Sequence, residues 1–371
     1  MKKLALYIHI PFCKSKCIYC AFCSFVAKKE QIKKYFKALG KEIEEKSAKC
    51  KDYEVSSIFI GGGTPSSVDG SYIKKIIDLI RKKYNVSNNA EISIECNPNS
   101  ATKNLLKFYK DMGINRISFG VQSLFDDELK FLNRCHNRLD AINVINEAKN
   151  IGFKHINADL LIGLGTQTID RFKEQILTLT DCGVDHLSCY MLQVEDGTTL
   201  QKIVQNENVL LDEDACVDLY QEIINTLKEQ GFNQYEVSNF AKNNGECKHN
   251  MSYWDLTEYL GFGLAAHSYF NGYRLENTSN FDDYVAGKYQ IQEHKQTIDE
   301  EREEFVMLGL RTKNGINLAE YKNRFGMDLY EEKKNEIKEL VNLDMISINN
   351  DVLKVNQQYF GCLNSIIIKL L

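Results

Sequence analysis

The sequence predicts an α/β fold: a partial (β/α)6 barrel followed by a smaller, mostly helical, winged-helix-like C-terminal domain. Three observations predict it. From residue 4 to about 193, short apolar runs alternate with amphipathic helical stretches, the rhythm of right-handed βαβ units around a parallel sheet. Glycine and polar residues cluster after consecutive apolar runs, at the carboxyl ends of strands where parallel α/β folds bind ligands. Beyond residue 193 the rhythm stops, and from about 300 helical stretches lead into a hairpin-like segment.

The apolar runs Leu4–Ile10, Ser57–Ile60, Ile92–Cys96, Ile117–Val121, Ile156–Ile162 and Leu187–Leu192 read as strands covered on both faces. Helices are expected between them at 30–48, 71–84, 102–112, 139–151 and 169–181. In the second, Ile73, Ile76, Ile77 and Ile80 recur at helical spacing. A further helix is expected at 212–230, then Tyr235–Phe240 and an aromatic, glycine-rich stretch to Tyr273. Helices at Glu303–Thr312, Leu318–Arg324 and Tyr330–Leu343 follow. A hairpin over Met345–Val355, turning at Asn349-Asn350, and a terminal helix close the chain. The expected organisation is a barrel domain over 1–235, a linking segment over 236–298 and a small domain over 299–371.

Composition narrows the function classes. The 371 residues are 43% hydrophobic and 26% charged, which excludes a disordered or fibrous chain. With 46 basic against 51 acidic residues the formal charge is −5, so no nucleic-acid footprint is expected, and the acidic stretch at 331–340 argues against a DNA-reading C-terminal module. No segment reaches the roughly 18 apolar residues of a membrane helix, and Met1–Ile10 lacks the pattern of a signal peptide. A cytoplasmic protein without an integral membrane segment is expected, with peripheral membrane contact through a partner left open. Twelve cysteines in such a chain do not read as a disulfide framework. Eight are scattered, and four (Cys13, Cys17, Cys20, Cys23) fall within eleven residues. Proline is scarce. Its three positions, Pro11, Pro65 and Pro98, all adjoin candidate site residues, and the single tryptophan is Trp254.

Cys13-x3-Cys17-x2-Cys20 offers three thiolates. A structural zinc site wants four ligands, usually as two spaced pairs, and no second pair follows. An iron–sulfur cube held by three thiolates keeps one iron open for another ligand. With Tyr19 before the last cysteine and Gly61-Gly62-Gly63-Thr64-Pro65 after the second strand, the pattern resembles the radical S-adenosylmethionine (SAM) superfamily. Over nearly the whole chain the motifs Tyr7-Ile8-His9-Ile10-Pro11-Phe12-Cys13, Glu95-Cys96-Asn97-Pro98, Ser118-x-Gly120-Val121-Gln122-Ser123, Arg134-Cys135-His136 and Asn157-x-Asp159-Leu160 occur in order. They resemble the oxygen-independent coproporphyrinogen III dehydrogenases and their relatives. The resemblance implies a [4Fe–4S] cluster on Cys13, Cys17 and Cys20, with SAM's amino and carboxylate groups on the open iron. It implies SAM contacts from Tyr7, Gly62, Gly63, Thr64, Glu95, Gln122, Arg134 and Asp159. Taken singly, each has an ordinary reading: Arg134 as a surface ion pair, Glu95 and Asp159 as structural carboxylates, Gln122 as a core amide, Tyr7 as packing. Their order along one predicted rim favours the cofactor reading.

His249-Asn250-x-x-Tyr253-Trp254 resembles the His-Asn-x-x-Tyr-Trp motif of the HemW-type heme chaperones, as do Tyr235–Asn239 and Tyr259–Gly263 on either side of it. This implies heme as a ligand held by His249, with Tyr253 and Trp254 packing on the macrocycle. It further implies apo-hemoproteins as acceptors and an electron donor for the cluster. Cys247 is a lesser candidate ligand. The rival resemblance, to the dehydrogenase itself, expects a longer segment before the cysteines and a fourth cysteine two residues after the third. Here that position is Phe22. A radical methyltransferase acting on heme and a purely structural iron–sulfur protein are further alternatives. The run Gly163-Leu164-Gly165-Thr166-Gln167-Thr168 departs from the family's Gly-Leu-Pro-Gly-Gln-Thr by losing a rigid turn. The motifs predict SAM binding and leave its turnover open.

Overall fold

The structure, a computed structural model, describes residues 1–371. Six parallel strands occur in chain order: β1 (Lys2–Ile10), β2 (Tyr53–Gly62), β3 (Val86–Cys96), β4 (Arg116–Gln122), β5 (His155–Ile162) and β6 (His186–Met191). Each neighbours the next, the arrangement of the predicted partial barrel. Between them run α1 (Lys29–Ser47), α2 (Gly70–Lys83), α3 (Lys103–Asp111), the short α4 (Asp126–Phe131), α5 (Arg138–Ile151) and α6 (Ile169–Cys182). The strands form because their apolar residues are covered on both sides; Leu4, Leu6, Ile8, Ile58, Ile94, Ile117 and Leu187 are all fully buried. Side-chain caps start the helices where the sequence turns polar: Asp69 accepts from the Ser71 amide, and Asn137 and Asp140 form a reciprocal box.

The sheet is larger than the predicted six strands. After α7 (Thr199–Val204) and α8 (Glu213–Glu229), a small hairpin, β7 (Asn233–Gln234) and β8 (Asn239–Ala241), adds antiparallel to β6. The seven-residue α9 (Lys248–Trp254) follows. Then β9 (Tyr259–Phe262) crosses the molecule to pair parallel with β1, and β10 (His267–Phe270), β11 (Tyr273–Asn277) and β12 (Gln290–Lys295) extend that edge antiparallel, with α10 (Phe281–Val285) inserted. The result is one open twelve-stranded sheet, and the segment expected as a linker supplies β8 at one edge and β9–β12 at the other. The sequence pattern conceals this because the added strands are short, and every residue of β12 is exposed.

Glu42 fastens the added edge. This fully buried carboxylate on α1 meets Lys46 at 2.6 Å and accepts hydrogen bonds from the Gly263 amide (2.9 Å), Asn277 Nδ2 (2.7 Å) and the Tyr284 hydroxyl (2.6 Å). In the sequence, Glu42 and Lys46 read as an ordinary surface pair. Burial with four partners makes the group a clamp, because a carboxylate out of water is tolerated only when paired.

The C-terminal part is helical with a small sheet: α11 (Ile298–Gly309), β13 (Ile316–Asn317), α12 (Leu318–Phe325), α13 (Leu329–Glu332), α14 (Lys334–Asn342), β14 (Ile346–Asn349), β15 (Val352–Val355) and α15 (Leu363–Leu370). β15 pairs with both β13 and β14, the expected winged-helix-like pattern. Two details differ from expectation. The helix over 330–343 breaks at Lys333 (φ −113°, ψ 33°) into α13 and α14. The hairpin turns at Asn350 and Asp351, both at positive φ, one residue later than expected. Two successive left-handed residues make the turn whose twist matches the flanking strands.

Replacing Glu42 by Ala leaves the Gly263 amide and the Tyr284 hydroxyl without a partner in the interior and takes the counter-charge from Lys46. We expect a loss of about 3–5 kcal/mol in chemical denaturation, and faster hydrogen exchange in β9–β11 than in β3–β5.

Candidate functional site

The site begins where β1 and β2 end. Beyond their paired strands the ladder continues into loop: the Gly63 amide donates to Ile10 O and the Thr64 amide to Phe12 O, both at 2.8 Å. Two glycines are required for this approach. A Cβ on Gly63 would lie 2.9 Å from Ile10 O, Phe12 N and Phe12 O, all backbone atoms that have no room to yield. Gly62 has φ +112°, and a Cβ there would meet the His9 ring at 2.4 Å. The glycine run thus docks the start of the cysteine loop against the sheet. His9 holds the other side of the loop. Its Nε2–H donates to Cys23 O (2.8 Å), which leaves Nδ1 to accept from the Tyr7 hydroxyl (3.0 Å). Cys23 therefore serves the loop through its backbone, and its thiol is not on the cavity.

Every residue expected to hold the cluster, SAM or heme lines a single cavity of about 510 Å³. At its mouth are Cys13, Cys17 and Cys20, all free thiols. Thr64 Oγ1 lies 3.5 Å from Cys13 Sγ, Ser24 Oγ lies 3.9 Å from Cys20 Sγ, and Arg134 Nη1 donates to Cys17 Sγ at 3.3 Å. Each sulfur has a hydroxyl or guanidinium group beside it, and burial pushes the Cys13 thiol up. No three His, Cys, Asp or Glu side chains converge tightly enough to hold one metal ion. A four-iron cube takes each thiolate on a separate iron, so its ligands need not converge on a point, and the donor set fits it.

Around the thiols stand the remaining predicted residues. Arg134 donates from Nη2 to Gly120 O (2.5 Å), while its Nε is buried without any partner. An orphaned guanidinium N–H on a cavity wall suits a carboxylate. Gln122 sits at φ +67°, a left-handed conformation uncommon for a residue with a side chain, at a register shift between β4 and β5. Glu95 accepts from the Gly62 amide (3.0 Å). Asp159 accepts from Asn157 Nδ2 (2.7 Å) and Ser118 Oγ (3.2 Å).

The heme motif lies on α9, which forms the base of the cavity. His249 is 1% exposed. Its Nδ1 is hydrogen-bonded to Ser57 Oγ (3.0 Å) and its Nε2 to the Tyr253 hydroxyl one helical turn on (2.9 Å). The ring stacks on Phe59 with centroids 5.1 Å apart. Burial holds it neutral, with its pKa pushed down to about 4. Tyr253 lines the cavity and Trp254 does not. Burial pushes the Cys247 thiol up to about 12, and it donates to Glu91 Oε1 (3.4 Å), so it stays protonated. The cavity also contains residues that the motifs do not include, chief among them Arg116, His186 and Tyr190. Arg116 and His186 each directly precede a predicted apolar run and open the strand there, which was the available signal for the first two.

Burial and then the charge of Asp159 push the Glu95 carboxyl from 4.5 up to about 7. Burial raises Asp159 as well, against the hydrogen bonds from Asn157, Ser188 and Ser118. In the unfolded chain the same carboxyls release their protons at ordinary pH. The folded state therefore binds more protons between 4.5 and about 7, and stability of the ligand-free protein falls as pH rises through that window. Denaturation of the ligand-free protein should show a decline of about 3 kcal/mol at most from this group. Glu95→Gln should flatten it; an unchanged slope in that variant contradicts the assignment.

Comparison with known proteins places the chain in a family. A family model described as the radical SAM superfamily matches residues 7–179, and one described as the HemN C-terminal domain matches residues 297–358. The chain is 34% identical over 330 residues to the protein named heme chaperone HemW of Bacillus subtilis, covering 87% of both chains. It is 36% identical over 265 residues to the protein of that name from Escherichia coli, covering 71% of this chain and 69% of the other. The solved structure of the coproporphyrinogen III oxidase HemN from Escherichia coli superposes with a TM-score of 0.86, covering 100% of this chain and 90% of that one, at 23% identity, which speaks for the fold alone. The chain belongs to the HemW-type family of the radical SAM superfamily.

Proposed function

We propose that the protein is a heme chaperone: it carries a [4Fe–4S] cluster on Cys13, Cys17 and Cys20, binds SAM across the barrel rim, and binds heme for delivery to apo-hemoproteins. The observation that carries this reading is that one cavity joins three free thiols at its mouth to the His249 helix at its base. The relatives named heme chaperones, aligned over most of the chain, support it.

A cluster held by Cys13, Cys17 and Cys20 would supply one-electron reducing chemistry toward SAM's sulfonium, with the electron coming from a donor partner. The chain's own residues bind and orient. In this reading Arg134, which lines the cavity and whose Nε has no partner in the protein, pairs with SAM's carboxylate. Glu95 and Asp159 offer oxygen acceptors to N–H and O–H donors. Gly62 and Gly63, whose missing side chains let the strand end close on His9 and Ile10–Phe12, offer SAM the backbone of the cavity lining. Tyr7, its hydroxyl held by His9, forms the wall beside His249, with ring centroids 6.4 Å apart.

Heme ligation by His249 requires the Tyr253 hydroxyl to leave Nε2, since that nitrogen's lone pair or proton is engaged. The neutral imidazole is otherwise suited to iron. No helix of the structure is long and apolar enough to cross a membrane; we place the protein in the cytoplasm. The test is heme titration of the anaerobically reconstituted protein. His249→Ala should lose the histidine-ligated heme spectrum and weaken affinity about tenfold or more. Tyr253→Phe, which frees Nε2, should keep the spectrum and bind at least as tightly. Wild-type spectra and affinity in His249→Ala would remove the ligand assignment. Failure of the wild-type protein to bind heme would remove the chaperone reading.

A further inference from the structure

His186 lies in the first position of β6 and is 2% exposed, yet both of its ring nitrogens are engaged. Nδ1 is 2.6 Å from Asn157 Oδ1, and Nε2 is 2.7 Å from the Tyr235 hydroxyl. The chain of bonds continues at both ends. The backbone amide of Cys247, the residue that opens α9, reaches the Tyr235 oxygen at 3.3 Å. Asn157 Nδ2 reaches Asp159 Oδ1 at 2.7 Å and Ser118 Oγ at 2.8 Å, and Ser118 Oγ in turn reaches Asp159 Oδ2 at 3.2 Å.

The direction of every proton is determined by the chain's two ends. The Asp159 carboxylate accepts, so Asn157 turns its NH2 toward Asp159 and Ser118 and its Oδ1 toward His186, where the Ser188 hydroxyl also donates to it at 3.3 Å. His186 Nδ1 must therefore carry the proton, and Nε2 of the neutral ring is left to accept. The buried Tyr235 hydroxyl, whose oxygen accepts from the Cys247 amide, donates its proton to that nitrogen, and Ser118 donates to Asp159. Each link donates toward the carboxylate, and links aligned in this way polarise one another. Burial keeps His186 neutral, with its pKa lowered well below the usual value and the nearby Arg116 and His155 acting in the same direction. A neutral Nδ1–H tautomer is the one state that satisfies both neighbours.

We propose that His186 is a positioning residue for SAM: acting through Asn157, it orients the Asp159 carboxylate that faces the cavity, and through Tyr235 it ties that carboxylate to the N-terminus of the α9 helix. The inference rests on the reading that Asp159 contacts SAM. Without His186, only the longer bond from the Ser188 hydroxyl (3.3 Å) still holds Asn157 Oδ1, and an amide that turned over would present a carbonyl oxygen to the carboxylate and push Asp159 off its bearing. The loss would be felt in ligand affinity without any contact between His186 and SAM.

Two measurements test this. On the protein before cluster loading, ring-nitrogen NMR of histidine-labelled samples should show His186 neutral, with its proton on Nδ1, across the range in which exposed histidines titrate. A proton on Nε2, or a normal titration, overturns the relay. On the reconstituted protein, equilibrium SAM binding should weaken about tenfold in His186→Leu. It should recover to within about threefold of wild type in His186→Asn, whose side-chain NH2 takes the place of the Nδ1 donor. Equal SAM affinity in wild type and His186→Leu refutes the positioning role while leaving SAM binding intact. Loss without recovery in His186→Asn, at wild-type thermal stability, also refutes it. A wild-type protein that takes up its cluster but binds no SAM removes the underlying reading, and this inference with it.

Discussion

The structure depends on the close approach of two backbone segments at the end of the first two strands. Residues Ile10–Phe12 and Gly63–Thr64 continue the parallel ladder past the point where strands ordinarily diverge, and three backbone atoms occupy the space that a side chain on residue 63 would need. This contact sets the start of the cysteine loop, and so the height of three thiols above the sheet. The loop's return is set by His9, which grips Cys23 O and leaves its second nitrogen for Tyr7. One residue thus connects the cysteine loop to the cavity wall. Pro11 and Pro65, two of only three prolines in the chain, flank this contact and limit the freedom of the backbone on both sides.

Below the rim the interior is unusually polar for a barrel. Glu91, Arg116, Asn157, His186, Tyr235 and His249 are all buried, and nearly every one of their polar atoms is paired. Glu91 illustrates the economy of the arrangement. Its carboxylate meets Arg116 Nε at 2.9 Å and also accepts from the His249 amide at 3.1 Å, so the ion pair anchors the α9 helix under the sheet. Polar groups held in this way cost stability relative to a greasy core, and they specify one arrangement of the helix and strands. The result is a floor that belongs to the binding cavity, built from the same residues that close the barrel.

Much of this was legible in the sequence, and the parts that were not share a physical cause. The six βα units stand out because buried parallel strands are runs of apolar residues and the covering helices repeat every three to four. The thiols and the ordered rim residues stand out because they depart from those periods. The added strands β9–β12 do not: β12 has no buried face, and β9 is four residues whose partner, β1, lies about 250 positions earlier. α9 is too short to show a period. Glu42 looks like half of a surface pair until the chain brings Gly263, Asn277 and Tyr284 to it. Arg116 and His186 each stand just before an apolar run, and only the fold shows Arg116 on Glu91 and His186 between Asn157 and Tyr235.

If the close backbone contact at Gly63 holds the cysteine loop in the shape a cluster needs, the iron and acid-labile sulfide that Gly63→Ala retains after anaerobic reconstitution report on it. The variant should fold and carry a cluster content well below that of the wild type. Wild-type iron and sulfide in folded Gly63→Ala would show that the loop holds its shape without this contact.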